Sequence, residues 1–337
     1  MKRFFLILVS GFIIGGCSTS PININSNIPN IFDKDKIIIQ STSNRIENLV
    51  DQKRIENLMA ILTGKIPTSN GLTVGERGTP EGRDKARIFI SSYLESIGYK
   101  VEHQKYNLGY NTGENLVAIL PASKETQEYI LVGAHFDTVR TVGADDNGSG
   151  SVVVMEVANV LRNLKDRQVN LIFAFFDQEE RGLIGSKYMA EEYKKQGLKI
   201  NSVHTLDMVG WDSDKDKAVE IERPAGNLWD YYVMVNKVHN LGILLQRTSS
   251  GSTDHESFQA KGFNSVGLCE EWVHGDTTPH YHKKTDTYET INFEYLTSTA
   301  KLVCATLNDL SLKISYKTNP FIPHDQFPGR DREFVDF

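Results

Sequence analysis

Short apolar runs that end in acidic residues or histidine recur along the middle of this chain, and they constrain its fold more than any other feature. The runs at 115–120, 129–134, 170–176, 202–206 and 265–269 are too short for ordinary helices and are bounded by polar or turn-forming residues. Helical spacing marks the stretches around them, at 83–97, 151–164 and 186–196. In the first, Ala86, Phe89, Ile90, Tyr93, Leu94 and Ile97 share a face, and Gly98 ends the helix. The final helix is the clearest, because Phe293, Leu296, Ala300, Val303, Leu307, Leu310 and Ile314 repeat at intervals of three and four. Apolar strands alternating with helices predict an α/β fold: one three-layer domain whose central sheet is largely parallel, doubly wound and buried on both faces. No repeat and no long linker interrupts residues 45–314, so that span is expected to be a single domain.

The ends read differently. Lys2 and Arg3, an apolar run from Phe4 to Ile14, and then Gly15, Gly16 and Cys17 make an export signal. The run is shorter than the roughly 20 apolar residues that a membrane span needs. Ile14-Gly15-Gly16-Cys17 resembles the bacterial lipobox, which implies cleavage after residue 16 and a lipid on Cys17. The expected organisation is a signal peptide at 1–16, a tether at 17–44, the domain at 45–314 and a tail at 315–337. The expected location is outside the cytoplasm, on a bacterial outer membrane or cell surface, with the lipid bilayer as a partner. Cys269 and Cys304 could pair in an exported protein, but their spacing does not require it. With 43 acidic against 37 basic residues and a net charge of −6, the chain lacks the basic excess of a nucleic-acid binder. An apolar content of 39% is too high for a disordered chain.

In an open α/β sheet, ligands collect beyond the carboxyl ends of the strands. Here those ends carry His135-Phe136-Asp137, then Asp177-Gln178-Glu179-Glu180, then Asp207-Met208. Between the first two, residues 143–150 form a glycine-rich turn containing Asp145 and Asp146. Taken singly, each has an ordinary explanation: a histidine at a strand rim is usually just hydrogen-bonded, and paired acids before glycine and serine suit a turn and helix cap. Taken together they would repel one another and raise one another's pKa. A divalent metal pair removes that cost. Histidine and carboxylate donors with no cysteine nearby fit Zn²⁺ in an open catalytic site. Two ions about 3.5–4 Å apart, bridged by one carboxylate, would account for the number of acids.

The motifs AHFDT, GADDNGSG, EERGLIGS, LDMVG and YHKKTDT occur in this order, and over roughly residues 55–312 the chain resembles the co-catalytic dizinc exopeptidases of metallopeptidase family 28. The resemblance implies two Zn²⁺ per chain, one held by His135 and Asp207, the other by Glu180 and His282, with Asp146 bridging. Asp146 is preferred to Asp145 because it immediately precedes the Asn-Gly turn. His282 is preferred to His280 because it stands four residues before the aspartate of Asp286-Thr287. Asp137 corresponds to the carboxylate that orients the histidine ligand, and Glu179 to the general base. Tyr281 corresponds to a tyrosine that helps hold the oxyanion in some members, or else is an aromatic wall of the pocket. Ser252-Thr253-Asp254-His255 resembles the family's Ser-Asp-His segment, with Thr253 departing from it, and implies that Asp254 and His255 support the ligands from behind.

These expectations make the chain an aminopeptidase acting on peptides with a free N-terminus. A carboxypeptidase would need a positive clamp, for which Arg181 and Arg223 are the candidate arginines beside the motifs. Two alternatives share the fold: a glutaminyl cyclase-like acyltransferase working with one metal, and an inactive binding or adhesion protein. The complete ligand set together with Glu179 favours the peptidase.

Overall fold

The first two helices begin where the sequence supplies a cap. The computed structural model describes residues 45–109 and 111–315, so the signal peptide, Cys17, the tether and nearly all of the tail lie outside the described residues. Helix α1 (Gln52–Leu62) starts after Asp51, whose carboxylate accepts from the Lys53 amide. Helix α2 (Pro80–Ser96) starts after Thr79, whose hydroxyl accepts from the Gly82 amide, with Pro80 in the first turn. It therefore begins three residues before the expected 83, because its cap precedes its apolar periodicity.

The strands are β1 (Val101–Leu108), β2 (Asn111–Leu120), β3 (Glu128–His135), β4 (Asn170–Phe176), β5 (Lys199–Leu206), β6 (Ala218–Glu222), β7 (Leu244–Thr248) and β8 (Ser265–Cys269). Between and after them lie α3 (Gly150–Leu161), α4 (Ile184–Lys195), α5 (Leu228–His239), α6 (Asp254–Gln259) and α7 (Phe293–Ser311). All eight strands form one sheet in the order β1-β2-β4-β3-β5-β8-β6-β7. The central four, β4, β3, β5 and β8, run parallel, as expected. The flanks differ: β1 and β2 pair antiparallel, β2 joins β4 antiparallel, and β6 joins β8 antiparallel. The flanking strand β1 has only Val101 and Tyr106 buried, so it carries no apolar run to announce it.

Alternation along the strands builds two cores. Ile130, Val132 and Ala134 of β3 pack in the layer that holds Val153 of α3 and Leu296 and Val303 of α7. Leu131 between them faces the opposite layer, with Met189 and Tyr193 of α4 and Phe258 of α6. Each fully buried side chain of this size contributes about 1.5–3 kcal/mol. Because β3 runs parallel to both neighbours, pairing His135 with Phe176 and Gly133 with Thr205, the ends of β3, β4 and β5 open at one edge. Cys269 and Cys304 are both buried free thiols, which settles the pairing left open above.

One ion network ties the start of the domain to its last helix. His239, at the end of α5, places Nδ1 2.8 Å from Glu47 and Nε2 2.8 Å from Asp309 of α7. Burial alone would lower its pKa, but the hydrogen bonds to Asp309 and Glu47 outweigh it and push it up to about 9 from an ordinary 6.5. The folded state therefore binds this proton more tightly than the unfolded chain. Its contribution is complete below pH 6.5 and is lost as pH rises through 9. Replacing His239 with Gln is expected to destabilise the protein by on the order of 2 kcal/mol at pH 6, with the deficit shrinking toward pH 10. Chemical denaturation at the two pH values measures it, and an equal deficit at both would contradict the assignment.

Candidate metal centre

The ends of β3 and β5 bring His135 and Asp207 together, with His135 Nε2 3.2 Å from Asp207 Oδ1. The turn before α3 adds Asp146, whose Oδ1 lies 3.6 Å from the same nitrogen. The other oxygen of Asp146 lies 3.2 Å from His282 Nε2, which is itself 3.0 Å from Glu180 Oε2. Two groups result, His135–Asp146–Asp207 and Asp146–Glu180–His282, each with its donor atoms within 4.8 Å of one another. Asp146 belongs to both. Its buried Oδ2 has no partner other than the His282 ring, as befits an oxygen aimed at a shared cation. Three carboxylates and two imidazoles match the donor set of zinc, so the residues present fit two such ions.

Electrostatics points the same way. Burial, reinforced by Asp207, Asp254 and Asp137 and opposed by His135, pushes Glu179 up to about 10. Burial and Asp146 push Glu180 up to about 7, and burial raises Asp207 despite the nearby imidazole. His135 is fully buried, which would lower its pKa, yet Asp207 and Glu179 hold it well above the ordinary value. These directions describe too much negative charge in too little solvent, a situation that cations relieve.

The other anticipated residues surround this pair. Glu179 belongs to neither group; its Oε2 is 3.9 Å from His135 Nε2, and its amide donates to Asp137 Oδ1 at 2.9 Å. Asp137 also faces His135 Nδ1, with its carbonyl oxygen at 3.2 Å and its carboxylate at 3.5 Å. Asp254 and His255 are both buried, and Asp254 lies close enough to His135 and Asp207 for their charges to interact. Thr253, the departure from the Ser-Asp-His pattern, pairs its hydroxyl with His255 Nδ1 at 2.9 Å. Tyr281 stacks on His282 with centroids 3.8 Å apart. His280 turns away to Thr285, and Asp145 accepts from the Gly210 amide, so neither alternative joins a group. Gln178, Leu183, Met208 and His282 all adopt positive φ, near 60°, 60°, 53° and 55°. Such non-glycine conformations cost about 1–3 kcal/mol each and concentrate where side chains must be aimed.

The profile of Peptidase family M28 matches residues 115–307, more than half of the chain. A probable leucine aminopeptidase of Trichophyton verrucosum (strain HKI 0517) is 30% identical over 214 residues, which are 59% of this chain and 57% of that protein. The chain therefore spans less than two thirds of that relative's length. BSAP, a zinc aminopeptidase from Bacillus subtilis, superposes with a TM-score of 0.70 at 17% identity, covering 80% of this chain and 97% of that one. A glutaminyl cyclase from Porphyromonas gingivalis superposes with a TM-score of 0.65 at 20% identity, covering 78% and 99%. Likenesses at these identities show the fold.

Sequence reasoning overlooked two supports. The reading of Arg181 and Arg223 as the arginines beside the motifs fails twice: along the sequence Arg140 stands between AHFDT and GADDNGSG, and in space Arg77, Arg83 and Arg87 fold in from a distance. Arg77 is wholly buried and donates to the carbonyls of Phe136 at 2.6 Å, Val142 at 2.6 Å and Gly143 at 2.7 Å, tying the end of β3 to the turn that carries Asp146. Burial lowers its pKa to about 10, against the pull of Asp286, Asp137 and Asp146. Asp286 accepts from the amides of Asp145 at 2.8 Å and Asp146 at 3.1 Å, which fixes the backbone of the shared residue. No periodicity or motif spacing marks an arginine bound to carbonyls about sixty residues away. Replacing Arg77 with Met keeps the apolar stem but removes the donors to Phe136 and Val142, while Gly143 keeps the Gly148 amide, so a loss of at least about 2 kcal/mol is expected. Thermal unfolding, with limited proteolysis at 137–143, checks this, and wild-type stability would remove Arg77 from the account.

Proposed function

This chain belongs to peptidase family M28, and from that premise we propose that it is an aminopeptidase that works with two zinc ions. The observation that carries the proposal is a single buried carboxylate, Asp146, common to two histidine–carboxylate groups, with the unattached carboxyl of Glu179 beside them. His135 and Asp207 would hold one ion and Glu180 and His282 the other. When bound, such ions polarise a scissile carbonyl and make water more acidic.

The chain's own groups supply the rest. Glu179 takes a proton from the attacking water and passes it to the departing amine. Asp137 anchors the amide of Glu179 and so sets the position of its carboxylate. Burial, with the acids of the site, raises the Tyr281 phenol above its ordinary value, so it stays protonated and can donate to the oxygen that gains charge. The site favours the amino end of a peptide because it is acidic and five of the arginines around it are committed, leaving Arg140 exposed on the stretch between His135 and Asp146. Arg77 is committed to carbonyls, Arg83 and Arg87 to Asp177, Arg181 to Gln178 and Arg223 to Glu256. The name of the fungal relative supports the same reaction. Attachment to a membrane through a lipid on Cys17 rests on residues 14–17 alone and is part of this proposal.

Two experiments test these statements. Glu179→Gln is expected to keep fold and metal content while the rate falls by roughly 10²–10⁴-fold, whereas Glu180→Gln lowers metal occupancy as well. Both are read by zinc analysis and by turnover on aminoacyl chromogenic substrates, free and N-acetylated. Near-normal turnover in Glu179→Gln would overturn its role. Cyclisation of N-terminal glutamine without peptide hydrolysis would favour the acyltransferase. Replacing Cys17 with Ser should release the protein from membranes or block its processing. Unchanged partitioning and mass would remove the lipid from the proposal.

A further inference from the structure

The two halves of the metal centre differ in how open they are. His135 and Asp207 have side-chain exposures of 0% and 13%, whereas His282 is 38% exposed. On the aminopeptidase reading, a peptide held with its amino terminus at the closed half would run out across the open one. There it meets aromatic surface. The Tyr281 ring lies on the His282 ring at 3.8 Å and 21°, and the Trp272 ring meets Tyr281 edge-on at 4.9 Å and 74°. Trp272, Val273 and Tyr281 are three of the ten large exposed apolar side chains among the described residues, and they lie within ten positions of one another.

This surface is held in place from below. Glu220, wholly buried, uses one oxygen to accept from the amides of Val273 and His274, both at 2.8 Å, and to meet His274 Nδ1 at 2.6 Å. Glu270, equally buried, accepts from the amides of Trp211 at 3.0 Å and Thr278 at 2.7 Å. Asp276 accepts from the Trp211 indole at 3.2 Å. Neither Glu220 nor Glu270 belongs to a metal group. Burying two carboxyl groups under a surface loop is costly, the more so as Glu220 Oε2 has no hydrogen-bond partner, and the bonds they do make fix the loop that presents Trp272. A rigid, exposed aromatic pair joined to a reaction site suits a ligand group of complementary size, because little ordering is left to be lost on binding.

We propose that Trp272 and Tyr281 form a ledge that takes the side chain of the substrate's second residue, the first residue of the leaving peptide, and favours large apolar or aromatic groups there. The proposal rests on the aminopeptidase reading above. Its test uses full-length, zinc-loaded protein with leucyl-phenylalanine amide and leucyl-glycine amide, following release of the second residue by chromatography. The expected kcat/KM for the phenylalanine substrate exceeds that for the glycine substrate by about tenfold, mostly through KM, and Trp272→Ala brings the ratio close to one. Trp272→Phe should restore most of it, and zinc content and melting temperature should match the wild type in both variants. Should Trp272→Ala fail to fold, Trp272→Gln reads the same ratio. No preference in the wild type, or a ratio that survives removal of the indole, overturns the ledge. Failure to hydrolyse either amide with metal bound overturns the aminopeptidase reading and the ledge with it, and is a distinct result.

Discussion

Negative charge buried without solvent is the constraint around which this molecule is organised. Asp137, Asp146 and Asp254 are buried and lie with Glu179, Glu180 and Asp207 about a single buried imidazole and one half-open one. Such a cluster either keeps protons it would not otherwise hold or accepts cations. The donor geometry makes the second outcome possible, because Asp146 faces one histidine with each of its oxygens. The parallel centre of the sheet follows from the same requirement. Three strands running one way deliver their terminal residues to one edge, which antiparallel neighbours could not do.

Precision at that edge comes from behind it. Arg77 joins the end of β3 to the following turn, Asp286 takes the two amides around Asp146, and Asp137 takes the amide of Glu179. Each of these bonds fixes a main-chain segment and only thereby a working side chain. Four non-glycine residues next to or among the working side chains, Gln178, Leu183, Met208 and His282, also adopt positive φ. The aminopeptidase and the cyclase that superpose on this chain show that such a scaffold serves more than one chemistry. The functional reading therefore depends on which side chains meet, and the fold alone does not decide it.

Much of this was legible in the sequence, for identifiable reasons. Strands β4 and β8 are fully buried apolar runs, so their limits match the expected 170–176 and 265–269. His135, Glu180 and Asp207 stand out because each follows a strand end and Asp146 because it lies in a glycine-rich turn, whereas His282 is assigned by the resemblance alone; the structure brings all five together in two groups. What escaped was decided by distant partners. The flanking strand β1 is mostly exposed, and β7 buries only Thr248, so neither shows the periodicity that marks a core strand. Helix α1 did carry a signal, Asp51 ahead of Ile55, Leu58, Met59 and Leu62, which a search for caps would have found. Arg77 carried none, since its partners are carbonyl oxygens that any residue could supply.

Metal content tests the central claim most directly. Elemental analysis of the full-length protein, purified without chelator and dialysed against trace zinc, should find about two zinc ions per chain, and the Asp146→Ala protein, still folded, should retain neither, because one carboxylate serves both groups. A single tightly held ion in the wild type, or two ions kept by Asp146→Ala, would contradict the account.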